Sequence, residues 1–249
     1  MNKHYFRDKF LSTEDVNELR VNLSSQDTDS LLNITFDNVE NLPIISKKLL
    51  NKNLLDILSN NLGDRDFIFL NVVKIIKNKK EYKKNWHRDS GKKKQITLIT
   101  KKENLFLKFG VYLQDNNKKL GGAVDIIKPV SFIFFSDFLE KIYYSFKIKF
   151  YNNFVNTKSG DLIGFSGSTF HQTTPTKLNH NIHLDDKFSI YFQITNKNLL
   201  KEIISLHNKE NTSDQLILED NLEVKNFNNC KFKVCNTKIT SIMEKIISD

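Results

Sequence analysis

The sequence predicts a mainly β (α+β) fold: helices first, then many short strands of sandwich or barrel type, then an α-rich tail. Three observations carry this. Two segments before residue 66 hold apolar residues at helical spacing, residues 67–195 break into short β-rich runs, and helical spacing returns after 197.

Taken in order, "LSTEDVNELRVNLSS" opens on Ser12 and Thr13, continues with acidic Glu14 and Asp15, and places Val16, Leu19 and Leu23 on one face. A capped helix is expected from about residue 13. Ile44, Ile45, Leu49, Leu50, Leu54, Leu55 and Leu58 form a second helical segment over about 43–61, closed by Gly63. "FIFLNVVKII" (67–76) reads as a strand. In "NLFLKFGVYLQD" (104–115), Leu105, Leu107, Phe109, Val111 and Leu113 alternate with Lys108, Gly110, Tyr112 and Gln114. "KFSIYFQIT" (187–195) sets Phe188, Ile190, Phe192 and Ile194 against Lys187, Ser189, Tyr191 and Gln193. Two strands that each carry a polar stripe with a lysine predict a sheet whose inner face lines a polar pocket. "NKKLGGAVDI" supplies a turn with paired glycines. "SDFLEKIYYSFKIKFYNNF" (136–154) is aromatic on all sides and is compatible with helix or strand. "KSGDLIGFSGSTFHQTTP" (158–175) reads turn, strand, turn, strand. The tail carries a helix near 198–207, a polar loop, a strand around 230–235 and a last helix near 237–247.

Composition narrows the class. The 249 residues suffice for a substantial core, to which 20 Phe and 7 Tyr contribute. Three Pro and eight Gly argue against long disordered linkers. The net charge of +9 fits an anionic small molecule, a membrane surface or nucleic acid, but the lysines are spread along the chain. A solvated basic surface is therefore preferred to a nucleic-acid groove. "KKK" at 92–94 is expected to be a mobile basic loop at a pocket mouth. Cys230 and Cys235 do not form a CxxC pair, so free thiols are expected and a zinc site is not. "MNKHYFRDKFLS" lacks an apolar signal core and no stretch approaches a membrane span, so a soluble, cytoplasmic protein is expected.

The chemistry is concentrated in "NWHRDS" and "SGDLIGFSGSTFHQT". On an extended segment, His87 and Asp89 point the same way and can hold one metal together. A third ligand from a distant strand completes a facial triad with open positions, the arrangement of non-haem Fe(II) oxygenases. His171 is the best third ligand, because a strand and a Gly-containing turn deliver it to the sheet. His4, His180, His183 and His207 are weaker candidates. Trp86 is expected to pack beneath the metal loop, and Arg88 to point away from the metal by alternation.

Four segments, in order, resemble the Fe(II)- and 2-oxoglutarate-dependent dioxygenases, specifically the phytanoyl-CoA dioxygenase-like branch. "NWHRDS" resembles its WHxD segment and "LKFGVYLQDNNKKLGGAVDII" its strand and GG-containing hairpin. "SGDLIGFSGSTFHQT" resembles the segment with the distal histidine, and "KFSIYFQI" the closing strand that begins with a basic residue. The resemblance implies one dioxygenase domain over 1–249: a helical lead-in (1–66), a double-stranded β-helix (jelly-roll, cupin-like) core (67–195) and a C-terminal extension (196–249). It implies iron ligation by His87, Asp89 and His171, with 2-oxoglutarate and O2 as co-substrates. Lys187 and Ser189 match the basic-x-Ser positions that receive the distal carboxylate of 2-oxoglutarate, and Thr173 matches a common hydroxyl position.

Departures from the pattern leave alternatives. Lysine stands where the family usually has arginine, replacing a bidentate clamp by a point charge. The stretch from His171 to Lys187 is long, and "IIKPVS" replaces a PGSH-like turn. Lys108 is a rival anchor, with Lys187 preferred, and Tyr112 shares the face of Lys108, as a co-substrate contact or a core tyrosine. Halogenating relatives lose the carboxylate that Asp89 keeps, so hydroxylation or a related oxidation of a small molecule (acyl, sugar or amino-acid derivative) is expected. The alternatives are an oxygenase directed at nucleic acid or protein, and a non-catalytic cupin-like binding protein.

Overall fold

The computed structural model describes residues 5–25, 31–39, 42–63, 66–78, 85–89, 93–127, 137–150, 154–177 and 187–248. The N-terminal part runs β1 (Tyr5–Lys9), α1 (Thr13–Ser24), β2 (Leu31–Ile34), α2 (Pro43–Leu49), α3 (Lys52–Leu62) and β3 (Ile68–Asn78). The middle holds α4 (Lys93–Thr100), β4 (Phe106–Tyr112), β5 (Val124–Ile127), α5 (Asp137–Phe150), β6 (Phe154–Val155), β7 (Asp161–Ser166), β8 (Phe170–Thr173) and β9 (Lys187–Thr195). The C-terminal part is α6 (Lys197–Glu210), β10 (Leu222–Phe227), β11 (Cys230–Cys235) and α7 (Thr237–Ser248).

The helix starts follow their sequence signals. Ser12 caps α1 and, with Asp15, forms a reciprocal capping box. The single helical segment expected over 43–61 is broken at Leu50–Asn51: Pro43 starts α2, and the Asn51 side chain caps α3. The ambiguous aromatic segment is a helix, α5. Residues 93 and 94 of the expected basic loop begin α4, while Lys92 lies outside the described residues, as do His4, His180, His183 and "KPVS".

Two sheets form the core. The larger has strand order β1-β7-β4-β9-β3-β11-β10, with β2 also pairing β3, and the smaller has order β6-β5-β8. Together they make a double-stranded β-helix of two facing sheets, with no closed barrel among the described residues. The alternation in β4 and β9 sorts their side chains. Leu107, Phe109, Val111, Phe188, Ile190, Phe192 and Ile194 pack under α1, α2 and α3 in one apolar core. On the opposite face Tyr112, Ile163 and Phe165 meet Val124, Ile126 and Val155 of the small sheet. The remaining end of that face, at Ile68, Leu70 and Phe106, is covered by α4, α6 and α7. His87 and His171 form a bridge at the margin of the small sheet, and Asp89 meets Lys108 of this face.

Among the described residues, no helix is long and apolar enough to cross a membrane.

Candidate metal centre

A pair of backbone hydrogen bonds brings the two histidines together. The His87 amide donates to the His171 carbonyl at 2.9 Å, and the His171 amide donates to the His87 carbonyl at 2.8 Å. This antiparallel bridge attaches His87 to β8 at the margin of the small sheet. The two rings lie 4.5 Å apart, centroid to centroid. Each ring is oriented by its own chain. His87 Nδ1 lies 2.8 Å from the Asn85 carbonyl oxygen, and His171 Nδ1 lies 2.9 Å from that of Thr169. A carbonyl only accepts, so Nδ1 carries the proton in both rings and Nε2 keeps its lone pair. Asp89 joins them, with Oδ1 3.9 Å from His171 Nε2. The potential ligand atoms of His87, Asp89 and His171 all lie within 4.8 Å of one another.

The electrostatics fit a cation at this point. Burial alone would raise the Asp89 carboxyl, but Lys108 and the two histidines outweigh it and hold Asp89 below the usual carboxylate range. Lys108 Nζ donates to Asp89 Oδ1 at 2.9 Å. The other oxygen, Oδ2, is buried with no hydrogen-bond partner among the described residues. An orphaned carboxylate oxygen is costly unless something positive completes it. Burial lowers His171 to about 4, so at neutral pH its imidazole is uncharged and available as a ligand. Two imidazoles and one carboxylate form a donor set suited to Fe(II).

Packing holds the triad in place. Trp86 stacks on Phe170 at 5.6 Å, bracing the His87 strand against β8, and Phe165 meets the His171 ring at 4.7 Å. Arg88 points away from the metal side, as alternation requires, but into protein. It pairs with Glu140, donates to Tyr144 Oη at 2.7 Å, and lies over the Tyr144 and Phe170 rings. Outside the ligand face, Gln172 and Thr174 donate to Asp125 at 2.8 and 2.7 Å, and the Gln172 side-chain oxygen accepts from the Asn85 amide. This network ties the strand carrying His171 to β5 and to the start of the metal loop.

The remaining candidates separate into two places. Lys108 is beside Asp89. Lys187 is buried at the start of β9, and its Nζ donates to the Leu120 and Gly121 carbonyls at 2.5 and 2.6 Å. Burial lowers its pKa to about 8. Gly121 has φ +67°, and a Cβ there would lie 2.7 Å from the Thr174 carbonyl oxygen, so glycine is required for this turn. Ser189 is buried and pairs in register with Tyr112, while Thr173 shares the His171 face of β8 and pairs with Val124. Tyr112 is a core residue, 1% exposed, packed edge-on to Tyr191.

The far wall of the site is not legible in the sequence. A cavity of about 210 Å³ is lined by Asp89, Lys108, Gln193, Lys74 and, from α7, Met243 and Glu244. Gln193 stood in the polar stripe of β9, but nothing local in "SIMEKIIS" marks α7 as a pocket wall.

No protein-family model and no curated protein matches the sequence. Solved structures do match in fold. HygX from Streptomyces hygroscopicus, with nickel, 2-oxoglutarate and hygromycin B bound, superposes with TM-score 0.52 at 13% identity, over 78% of this chain and 83% of that one. AviO1 from Streptomyces viridochromogenes Tue57 gives TM-score 0.52 at 11% identity, over 78% and 90%. The non-heme alpha ketoglutarate dependent epimerase SnoN from nogalamycin biosynthesis gives 0.51 at 10% identity, over 78% and 76%. At these identities the likeness is one of fold, and the fold is the double-stranded β-helix that these structures share with this chain.

Proposed function

We propose that this chain is a non-haem Fe(II)- and 2-oxoglutarate-dependent oxygenase that hydroxylates a C–H bond of a small molecule. The observation that carries the reading is the convergence of His87, Asp89 and His171, with both Nδ1 atoms already committed to carbonyls and Asp89 Oδ2 without a partner among the described residues. Iron with 2-oxoglutarate and O2 supplies the oxidising power when bound, and 2-oxoglutarate leaves as succinate and CO2.

The chain's residues do the positioning. His87 and His171 present Nε2, and Asp89 presents a carboxylate kept ionised by Lys108. Lys187, with Ser189, Thr173 and Tyr112 nearby, receives the distal carboxylate of 2-oxoglutarate. Lys187 is preferred over Lys108 because Lys108 is engaged with the Asp89 carboxylate, whereas Lys187 is buried at the start of β9 and donates to the neutral Leu120 and Gly121 carbonyls. The cavity against α7 admits substrate while its walls limit water.

The order of the four motifs supports the finer affiliation to the phytanoyl-CoA dioxygenase-like branch. The HygX structure with hygromycin B bound and the SnoN epimerase support a small-molecule substrate. The test is succinate release from 2-oxoglutarate after anaerobic loading with Fe(II), comparing wild type with Asp89→Ala. Turnover in the wild type that disappears in the variant is expected, and equal turnover in both overturns the assignment.

A further inference from the structure

Helix α5 turns opposite faces to two different environments. Glu140 and Tyr144 face inward onto Arg88, and Tyr144 is 5% exposed, packed on Phe170 at 4.4 Å. On the outer face Phe138, Ile142, Phe146 and Phe150 recur every four residues, with Leu139 beside them. They are 69%, 51%, 52%, 62% and 52% exposed, in that order. Isolated apolar residues on a surface are ordinary, but five on one helical arc form a patch that calls for a covering partner.

Charge indicates which partner. The helix contains three lysines against two acids, and the carboxylate of Glu140 is taken by Arg88. The lysines accompany the aromatic rings: Lys149 Nζ lies 5.4 Å from the Phe150 ring centroid, and Lys147 Nζ 5.5 Å from that of Tyr143. Lys118 lies over the ring of Phe154, in the strand that follows the helix. The chain as a whole carries +9. A second copy pressed against this face would bring like-charged lysines together. An anionic lipid surface instead receives the apolar side chains between headgroups and attracts the lysines. At 14 residues the helix is about 21 Å long and suits lying in the interface, not spanning it.

We propose that α5 is an interfacial helix that docks the protein on anionic membrane surfaces. Because Arg88 stands between His87 and Asp89 and is held by Glu140 and Tyr144, a docked helix fixes the metal loop at a set distance from the lipid headgroups.

The test uses the full chain with sedimented vesicles of phosphatidylcholine, with and without phosphatidylglycerol. Its readout is independent of any oxygenase activity. Wild type is expected to pellet with the phosphatidylglycerol vesicles, and to be released by salt at roughly 0.5 M. Phe146→Ser/Phe150→Ser and Lys147→Glu/Lys149→Glu are each expected to lower vesicle affinity about tenfold or more while keeping the wild-type melting temperature. If the first pair fails to fold, the second pair decides. Wild type that stays in solution, or that binds both vesicle types equally, overturns the proposal. So does a dimer in light scattering that the phenylalanine variant dissociates, because the face is then an interface between copies.

Discussion

Lys108 Nζ donates to Asp89 Oδ1 at 2.9 Å, so the carboxylate of the triad already holds one positive charge while its second oxygen awaits another. The two side chains are 24% and 14% exposed. Breaking the pair therefore costs less than breaking a fully buried one, and Lys108→Met is expected to destabilise the metal-free protein by about 1–2 kcal/mol. Asp89 has a lowered pKa in the folded state. Its stabilisation is present above the ordinary carboxylate value and is lost as the pH falls through the lowered one. The stability gap between wild type and Lys108→Met should therefore narrow as the pH falls through the lowered Asp89 value, as read from acid unfolding followed by circular dichroism.

Divalent metal should restore what that variant loses. Fe(II), or Mn(II) as an air-stable substitute, is expected to raise the melting temperature of wild type and of Lys108→Met. His171→Ala should weaken metal affinity by about 100-fold or more. Calorimetric titration measures this directly, and an unchanged affinity would remove His171 from the ligand set.

Lys187 predicts two opposite responses to alkaline pH. Its pKa is lowered by burial to about 8 from 10.5. Between these values the unfolded chain holds a proton that the folded chain has released, so stability from this group rises with pH across that window. Lys187→Met should abolish that rise, as read from melting curves on either side of about pH 8. Affinity for 2-oxoglutarate should move the other way and weaken above about pH 8, because the distal carboxylate needs the ammonium. In Lys187→Met the affinity should fall about 30-fold or more at neutral pH. A larger loss in Lys108→Met would make Lys108 the anchor.

Asn71 should be among the most sensitive positions outside the site. It is 1% exposed, its side-chain oxygen accepts from the Phe36 amide at 2.8 Å, and its Nδ2 donates to Asp37 and Thr237 at 3.0 and 2.9 Å. Asn71→Ala leaves these groups without that partner and is expected to cost about 2–4 kcal/mol in denaturant unfolding.

The parts of the molecule legible in the sequence are those where one physical demand dominates locally. The alternation in β4 and β9 was readable because one face lies beneath the N-terminal helices and the other lines a polar space. His87 and Asp89 were readable because extended backbone fixes the direction of residues two apart, and His171 because a glycine turn and a strand precede it. Helix α5 defied periodicity because its outer face keeps large apolar side chains exposed, which erases the contrast between faces. The strand β10 has the sequence of a polar loop because Glu223, Val224 and Asn226 are all exposed on this outermost strand. Its turn signal was present in Asn228 and Asn229, both at positive φ, as a tight hairpin requires. The contact of Lys108 with Asp89 joins residues 19 apart through the tertiary fold, and no local pattern encodes it.

The strand β3 has two neighbours along the edge that β9 leaves open. Its first residues, Ile68 and Phe69, pair with β11, and Val73–Ile76 pair with β2. Asn71 sits between these stretches, and its backbone amide donates to the Thr240 hydroxyl oxygen of α7 at 2.9 Å. Trimming the chain after β9 would therefore strip half of that edge and bare Ile68, Leu70 and Phe106 beneath it. Such a fragment would present an unprotected strand to other copies and aggregate before its metal chemistry could be assayed.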